Sequence, residues 1–119
     1  ETFAHWWCDG PYREPTDVDP VVRGRVLEML TGSEQRWLYS PLERRLDPPA
    51  IGRLAEIVVP TLAIVGTLDV PDIDQLAHMI DQQIPTSERM YIQDVAHMVN
   101  MERPAEFNEG VMAFLVANF

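Results

Sequence analysis

The sequence predicts an α/β fold with two parallel strands and flanking helices. Residues 58–66 are a continuous apolar, β-branched run closed by glycine, which is typical of a strand buried on both faces. Residues 89–92 form a second, shorter strand pattern. Helical patterns follow each of these runs, and the order strand, helix, strand, helix requires a right-handed parallel crossover.

Composition and charge exclude several classes of protein. The 119 residues suit one compact domain, and the formal net charge of −10 argues against nucleic acid or an anionic membrane as a partner. No apolar run approaches the roughly 20 residues that span a bilayer, and the first residues do not form a signal peptide. Cys8 is the single cysteine, which fits a reducing compartment and predicts a cytoplasmic protein.

The first part of the chain predicts one helix and allows another before it. If residues 1–7 are helical, they are the last two turns of a helix that Asp9-Gly10-Pro11 stops. Asp19 is suited to the N-cap and Pro20 to the first helical position, so a second helix is expected over residues 20–31.

The second part of the chain supplies the helices beside the strands. A short helix is expected at residues 50–56, before the first strand. A helix over residues 73–84 is ended by Pro85, and Pro104 begins a last helix.

An acid and a histidine follow the two predicted strands. Asp69 lies in the loop after the first strand and His97 in the loop after the second. Because functional groups of parallel sheets gather at the carboxyl ends of the strands, we expect these two side chains to lie within reach of each other. A carboxylate beside a histidine orients the imidazole and stabilises its protonated form.

Two segments around these residues resemble the α/β-hydrolase family. Residues 60–69 resemble the strand and turn that carry the acid of the catalytic triad, and residues 94–104 resemble the histidine loop and the start of the final helix. The resemblance implies that Asp69 is the triad acid and that His97 is the general base. It also implies a helical cap segment at residues 1–56 and the C-terminal part of the hydrolase core at residues 57–119.

The nucleophile of that family is absent from the sequence. It usually stands in Gly-x-Ser-x-Gly, and none of Ser33, Ser40 and Ser87 lies between glycines at that spacing. Cys8 does not fit either, because a tryptophan stands where the first glycine should be. Ala96 replaces the glycine that usually precedes the histidine.

Two strands cannot close a sheet, and the chain begins at Glu1 without an initiator methionine. We therefore expect a piece of a longer protein. The other strands would come from a missing N-terminal half or from a second copy, and the isolated chain would tend to form a homo-oligomer.

The resemblance implies hydrolysis of a small-molecule carboxylic ester, lactone or similar acyl substrate, without a cofactor. The isolated chain is expected to be inactive, because it lacks a nucleophile. Two alternatives stay open. One is a dehalogenase-like or epoxide-hydrolase-like parent with an aspartate nucleophile, and the other is a non-catalytic domain that dimerises through its sheet edge.

Other side chains were weighed for the site. Trp6 and Trp7, with His5, are candidates to line a substrate pocket, although core packing explains tryptophans equally well. Asp72 is the alternative acid, or else the N-cap of the helix that opens near residue 73. Asp94 is interpreted as a turn residue.

Two further residues are assigned structural roles from the sequence. His78 lies between apolar positions of a predicted helix, and Cys8 is interpreted as an inert buried thiol. The spacing of histidines, cysteines and acids does not fit a metal site.

Overall fold

A computed structural model describes residues 3–9, 19–32 and 46–119 of the chain. Two helices come first, followed by a 3-10 helix and then by strands that alternate with helices. The elements are α1 (Phe3–Asp9), α2 (Pro20–Gly32), the 3-10 helix (Ala50–Glu56), β1 (Thr61–Gly66), α3 (Pro71–Gln83), β2 (Ser87–Ile92), α4 (Val99–Glu102) and α5 (Pro104–Asn118).

The two strands form a parallel pair, as the sequence predicted. Thr61 lies opposite Ser87 and Gly66 lies opposite Ile92, so both strands end at the same level. Helix α3 makes the crossover between them and contacts both strands. The α/β architecture with flanking helices is therefore confirmed.

Helices cover the two faces of β2. Tyr91 hydrogen-bonds through its hydroxyl to Asp74 of α3, at 2.5 Å. The neighbouring Met90 points to the opposite face, where its sulfur would lie 2.2 Å from a Cβ added at Gly110 of α5. A glycine in α5 thus allows this helix to approach the strand closely.

Strand β1 begins later than predicted. Val58 and Val59 lie before the strand and are 77% and 60% exposed. Pro60 has no N–H to donate, and the first ladder bond runs from the N–H of Thr61 to the carbonyl of Thr86, at 3.1 Å. Burial on both faces was also expected, but within β1 only Val65 and Gly66 are buried in the described part of the chain.

Helices α1 and α2 pack against each other. The Asp19 carboxylate accepts hydrogen bonds from the N–H groups of Val21 and Val22, at 2.8 and 3.1 Å, which confirms the predicted N-cap. Cys8, Val22 and Val26 form a buried cluster between the two helices. Trp7, Leu27 and Leu30, together with Met98 and Met101 from the region of α4, pack against that cluster.

The start of α3 corrects one prediction. The helix begins at Pro71 and has Val70 as its N-cap residue, so Asp72 lies inside the first turn and does not cap the helix. Proline at the first helical position is preorganised for the turn, which moves the start ahead of residue 73. The carboxylate of Asp72 there still interacts favourably with the helix dipole.

No helix in the described ranges is both long and apolar enough to cross a membrane.

Candidate active site

The loops that follow β1 and β2 are joined by backbone hydrogen bonds. The N–H of Thr67 donates to the carbonyl of Ile92 at 3.0 Å, and the N–H of Leu68 donates to the carbonyl of Val95 at 2.9 Å. The parallel ladder therefore continues beyond the strand ends. This continuation brings residue 69 of one loop next to residue 97 of the other.

Gly66 allows this close approach. A Cβ at this position would lie 2.2 Å from the carbonyl oxygen of Ala96 and 2.3 Å from that of Val95. Both obstacles are backbone atoms, which cannot rotate away as a side chain could. A larger residue at position 66 would have to push the histidine loop away.

The side chain of Asp69 is buried, and each of its two carboxylate oxygens has a hydrogen-bonding partner. Its side chain is 5% exposed. One oxygen accepts from the N–H of Val70 at 2.8 Å, and the other lies 2.8 Å from Nδ1 of His97. A buried carboxylate needs such partners, and they fix its orientation.

His97 presents its other nitrogen away from the acid. A carboxylate only accepts hydrogen bonds, so Nδ1 is the donor in this contact and Nε2 carries the lone pair of the neutral ring. The His97 side chain is 38% exposed, in contrast to the acid behind it. An imidazole oriented through Nδ1 can accept a proton at Nε2 and return it.

The residues before His97 are held by side chains as well as by backbone. Thr67 Oγ1 accepts from the N–H of Asp94 at 3.0 Å, and a Glu102 carboxylate oxygen lies 3.4 Å from the N–H of Ala96. Neither Thr67 nor Glu102 was predicted from the sequence as a site residue. Thr67 stands directly between Gly66 and the loop of Asp69, whereas nothing in the sequence pattern marks Glu102.

The backbone accounts for two other residues of the histidine loop. Asp94 has φ of 55°, a left-handed turn conformation that Asp tolerates better than most residues, which agrees with its interpretation as a turn residue. Ala96 does not share this conformation, since Asp94 is the one non-glycine residue with positive φ in the described ranges. An alanine is therefore compatible with the backbone where the hydrolase family usually has glycine.

Trp7 lies against the histidine. The ring centroids of Trp7 and His97 are 5.9 Å apart and the planes meet at 71°, which is an edge-to-face contact. The structure thus brings one of the two predicted pocket tryptophans to the site. Trp6 lies in α1, and its side chain falls outside the described part; His5 is exposed on the same helix.

The remaining candidates are Asp72, His78 and Cys8. Asp72 is exposed on α3. His78 Nδ1 lies 2.7 Å from an Arg89 guanidinium nitrogen and its Nε2 lies 2.8 Å from the Gln82 amide, in agreement with a structural role. Cys8 is buried in the cluster between α1 and α2.

Within the described ranges, neither a serine with an unbonded hydroxyl nor a metal-binding cluster lies near this pair. The hydroxyl of Ser87 donates to carbonyls at the end of α3, at 2.9 Å for Ile84. Ser33 and Ser40 lie outside the described residues. No group of three or more histidine, cysteine or acidic side chains is arranged to hold a metal ion in the part of the chain that the structure describes.

Comparison with known proteins identifies the fold. The sequence matches no protein-family model, and no curated protein matches it either. Among solved structures, MenH from S. aureus, a protein of the α/β-hydrolase fold, superimposes with a TM-score of 0.81 at 24% sequence identity. The chain matches part of an α/β-hydrolase fold. The match covers 98% of this chain and 45% of MenH, so the chain spans less than half the length of that protein.

Proposed function

We propose that the protein is an α/β-fold hydrolase in which Asp69 and His97 are the acid and the base of a catalytic triad. The observation that carries this proposal is the 2.8 Å contact between Asp69 Oδ2 and His97 Nδ1, with the acid buried and the histidine accessible. The contact lies at the carboxyl end of a parallel sheet, where catalytic groups of such folds gather.

The proposed substrate is a carboxylic ester, a lactone or a similar small acyl compound. A serine hydroxyl attacks the carbonyl carbon while His97 Nε2 takes the hydroxyl proton. The resulting tetrahedral intermediate collapses, the carbon–oxygen bond to the leaving group breaks, and His97 gives its proton to the departing oxygen. Water then releases the acyl group by the same steps, with His97 again acting as the base.

Asp69 keeps its charge throughout these steps. It holds the imidazole through Nδ1 and stabilises the imidazolium that forms when Nε2 takes a proton. Neither the acylation of the serine nor the release of the acyl group by water needs a cofactor. Since Gly-x-Ser-x-Gly is absent from the 119 residues, the serine is proposed to come from an N-terminal portion of the protein outside this sequence.

Residues 1–56 are proposed to act as a cap segment over the core formed by residues 57–119. Support comes from the cluster of α1 and α2, against which Met98 and Met101 pack, and from the edge of Trp7 on His97. In this arrangement Trp7 supplies apolar surface for the acyl group of the substrate, and Trp6 is proposed from the sequence alone to do the same. A single cysteine and acidic composition suit a cytoplasmic enzyme.

The test uses the protein encoded by the full reading frame, hydrolysis of p-nitrophenyl butyrate, and labelling by a fluorophosphonate probe. His97→Gln and Asp69→Asn are each expected to lower kcat by about 10³–10⁴-fold, because the base is lost or the imidazole is held in the wrong tautomer. His78→Gln and Asp72→Asn are matched controls on α3 and are expected to leave kcat unchanged.

Wild-type kcat in Asp69→Asn would rule out the triad assignment. Labelling of a serine outside residues 1–119 supports the serine mechanism, whereas a covalent ester on an aspartate after reaction with an epoxide or haloalkane would replace it. Hydrolysis by the isolated 119-residue chain that depends on His97 would show that no outside nucleophile is needed.

A further inference from the structure

The three residues before His97 are each anchored by a different partner. Asp94 donates its N–H to Thr67 Oγ1, Val95 accepts from the N–H of Leu68, and Ala96 faces a carboxylate oxygen of Glu102. The first two anchors come from the loop of Asp69. The third comes from the end of α4.

Glu102 contacts the chain on both sides of His97. Its Oε2 lies 3.4 Å from the N–H of Ala96, the residue before the histidine. Its own backbone N–H donates at 2.9 Å to the carbonyl of Met98, the residue after the histidine. The bond to Met98 is a helical bond that any residue at position 102 makes, so the contact with Ala96 is what the side chain of Glu102 adds.

The carboxylate of Glu102 is only partly satisfied. Its Oε1 is buried and has no hydrogen-bond partner among the described residues. The adjacent Arg103 pairs instead with Glu106, at 3.7 Å. Glu102 is half-buried, and burial of a carboxylate oxygen without a partner costs free energy, so stability alone does not account for a glutamate here.

We propose that Glu102 is a positioning residue for the general base. Its carboxylate holds the N–H of Ala96 and so keeps the His97 ring at hydrogen-bond distance from Asp69, with Nε2 aimed at the reacting group. This inference rests on the proposed function of His97. Because a misplacement of about 1 Å can cost about 10²-fold in rate, a loop anchor of this kind has a measurable effect on catalysis.

The test compares Glu102→Met, Glu102→Gln and Glu106→Met in the protein from the full reading frame, with p-nitrophenyl butyrate as substrate. Glu102→Met removes the acceptor and is expected to lower kcat by about 10–100-fold with little change in KM. Glu102→Gln keeps an oxygen that accepts from Ala96 and is expected to retain most of the activity. Glu106→Met changes an exposed glutamate one turn away and is expected to behave as wild type.

Two readouts separate positioning from folding. The melting temperature of Glu102→Met is expected to be equal to or above that of the wild type, because a buried carboxylate oxygen without a partner has been removed. Amide hydrogen exchange at Ala96 is expected to become faster in the same variant. Should the methionine variant not fold, Glu102→Ala removes the same acceptor and is judged by the same measurements.

Wild-type kcat and Ala96 exchange in the variants that lack the acceptor would overturn the inference. Equal losses in Glu102→Gln and Glu102→Met would also overturn it, since charge and not the acceptor would then matter. Failure of the proposed function looks different, because His97→Gln and Asp69→Asn would then also keep full activity.

Discussion

At the scale of single residues, Gly66 sets the distance between the two halves of the candidate site. The backbone oxygens of Val95 and Ala96 lie where a Cβ of residue 66 would stand. These oxygens belong to the loop that ends in His97, and the Leu68 N–H bonds one of them at 2.9 Å. Any side chain at position 66 therefore acts on the histidine through the loop backbone.

Gly66→Ala is expected to lower both the free energy of unfolding and kcat. Overpacking against fixed backbone costs about 1–3 kcal/mol of unfolding free energy, and displacement of His97 lowers kcat by about 10²-fold. Urea unfolding and hydrolysis of p-nitrophenyl butyrate measure the two effects. Gly24→Ala is the matched control, since nothing lies within 4 Å of its added Cβ and alanine stabilises a helix interior by up to about 1 kcal/mol. A Gly66→Ala protein with wild-type stability and rate would show that the loop moves freely.

The positions of individual site residues could be predicted from the sequence where a rule of sheet topology applied. The meeting of Asp69 and His97 follows from the common end of parallel strands, and both residues could be located without coordinates. The contact of Glu102 with Ala96 depends on how α4 folds back beneath the loop, and no spacing rule gives that direction. The prediction that Asp72 caps α3 was wrong for a related reason, because Pro71 already begins the first turn of that helix.

At the scale of elements, an ion pair joins α1 to α2. Arg23 donates from Nε to one oxygen of Asp9 at 2.6 Å and from a second nitrogen to the other oxygen. These hydrogen bonds, more than the charge of Arg23 itself, hold the pKa of Asp9 below its ordinary value of 3.8. The pair links the same two helices that hold the cluster of Cys8, Val22 and Val26.

The sign of the resulting pH dependence follows from this lowered pKa. Asp9 is more acidic in the folded chain than in the unfolded chain, so its stabilising contribution is fully present above pH 3.8 and is lost as the pH falls through the lowered folded value. The stability difference between wild type and Arg23→Gln is therefore expected to be constant near neutral pH and to shrink below about pH 4. Thermal unfolding followed by tryptophan fluorescence between neutral and acidic pH tests this expectation.

Arg25→Gln provides the control for this experiment. Arg25 pairs with Glu28 within α2, at 2.5 Å, and both side chains are exposed. Loss of an exposed pair within one helix has little effect on stability. A wild-type-minus-Arg23→Gln difference that stays unchanged down to the lowest pH would contradict a folded-state role of the Asp9 carboxylate.

The boundaries of the elements show which forces the sequence pattern records. The apolar run that begins at residue 58 suggested an early start for β1, but pairing begins only after Pro60. Conversely, β2 begins at Ser87, two residues before the predicted start, because pairing with β1 extends beyond the apolar residues. Hydrophobic periodicity marks the centre of a strand, while hydrogen bonding to a neighbour sets its ends.

At the scale of the whole molecule, β1 offers an edge that is open in the described ranges. The N–H groups of Thr61 and Thr67 point to β2. Because the direction alternates along a strand, Ala63 and Val65 also point to β2, whereas Leu62 and Ile64 point to the other side. The sheet of the described residues has two strands, so no strand within those residues pairs with this second side.

The open edge of β1 is expected to be covered by a strand from the part of the protein that supplies the nucleophile. MenH is more than twice as long as the matched region, which leaves room for such strands in that fold. Amide exchange should then be slow at all four positions 62–65 in the protein from the full reading frame. In the isolated 119-residue chain, measured when dilute, exchange at Leu62 and Ile64 should be much faster than at Ala63 and Val65.

The dependence of amide exchange on protein concentration distinguishes the two possible sources of that strand. If a second copy covers the edge, protection of Leu62 and Ile64 in the 119-residue chain should rise with protein concentration, and sedimentation should show a matching dimer. If the longer protein covers it, only the full reading frame restores protection. Equal, rapid exchange of Leu62 and Ile64 in the full protein would contradict this expectation and would mean that β1 is a true sheet edge.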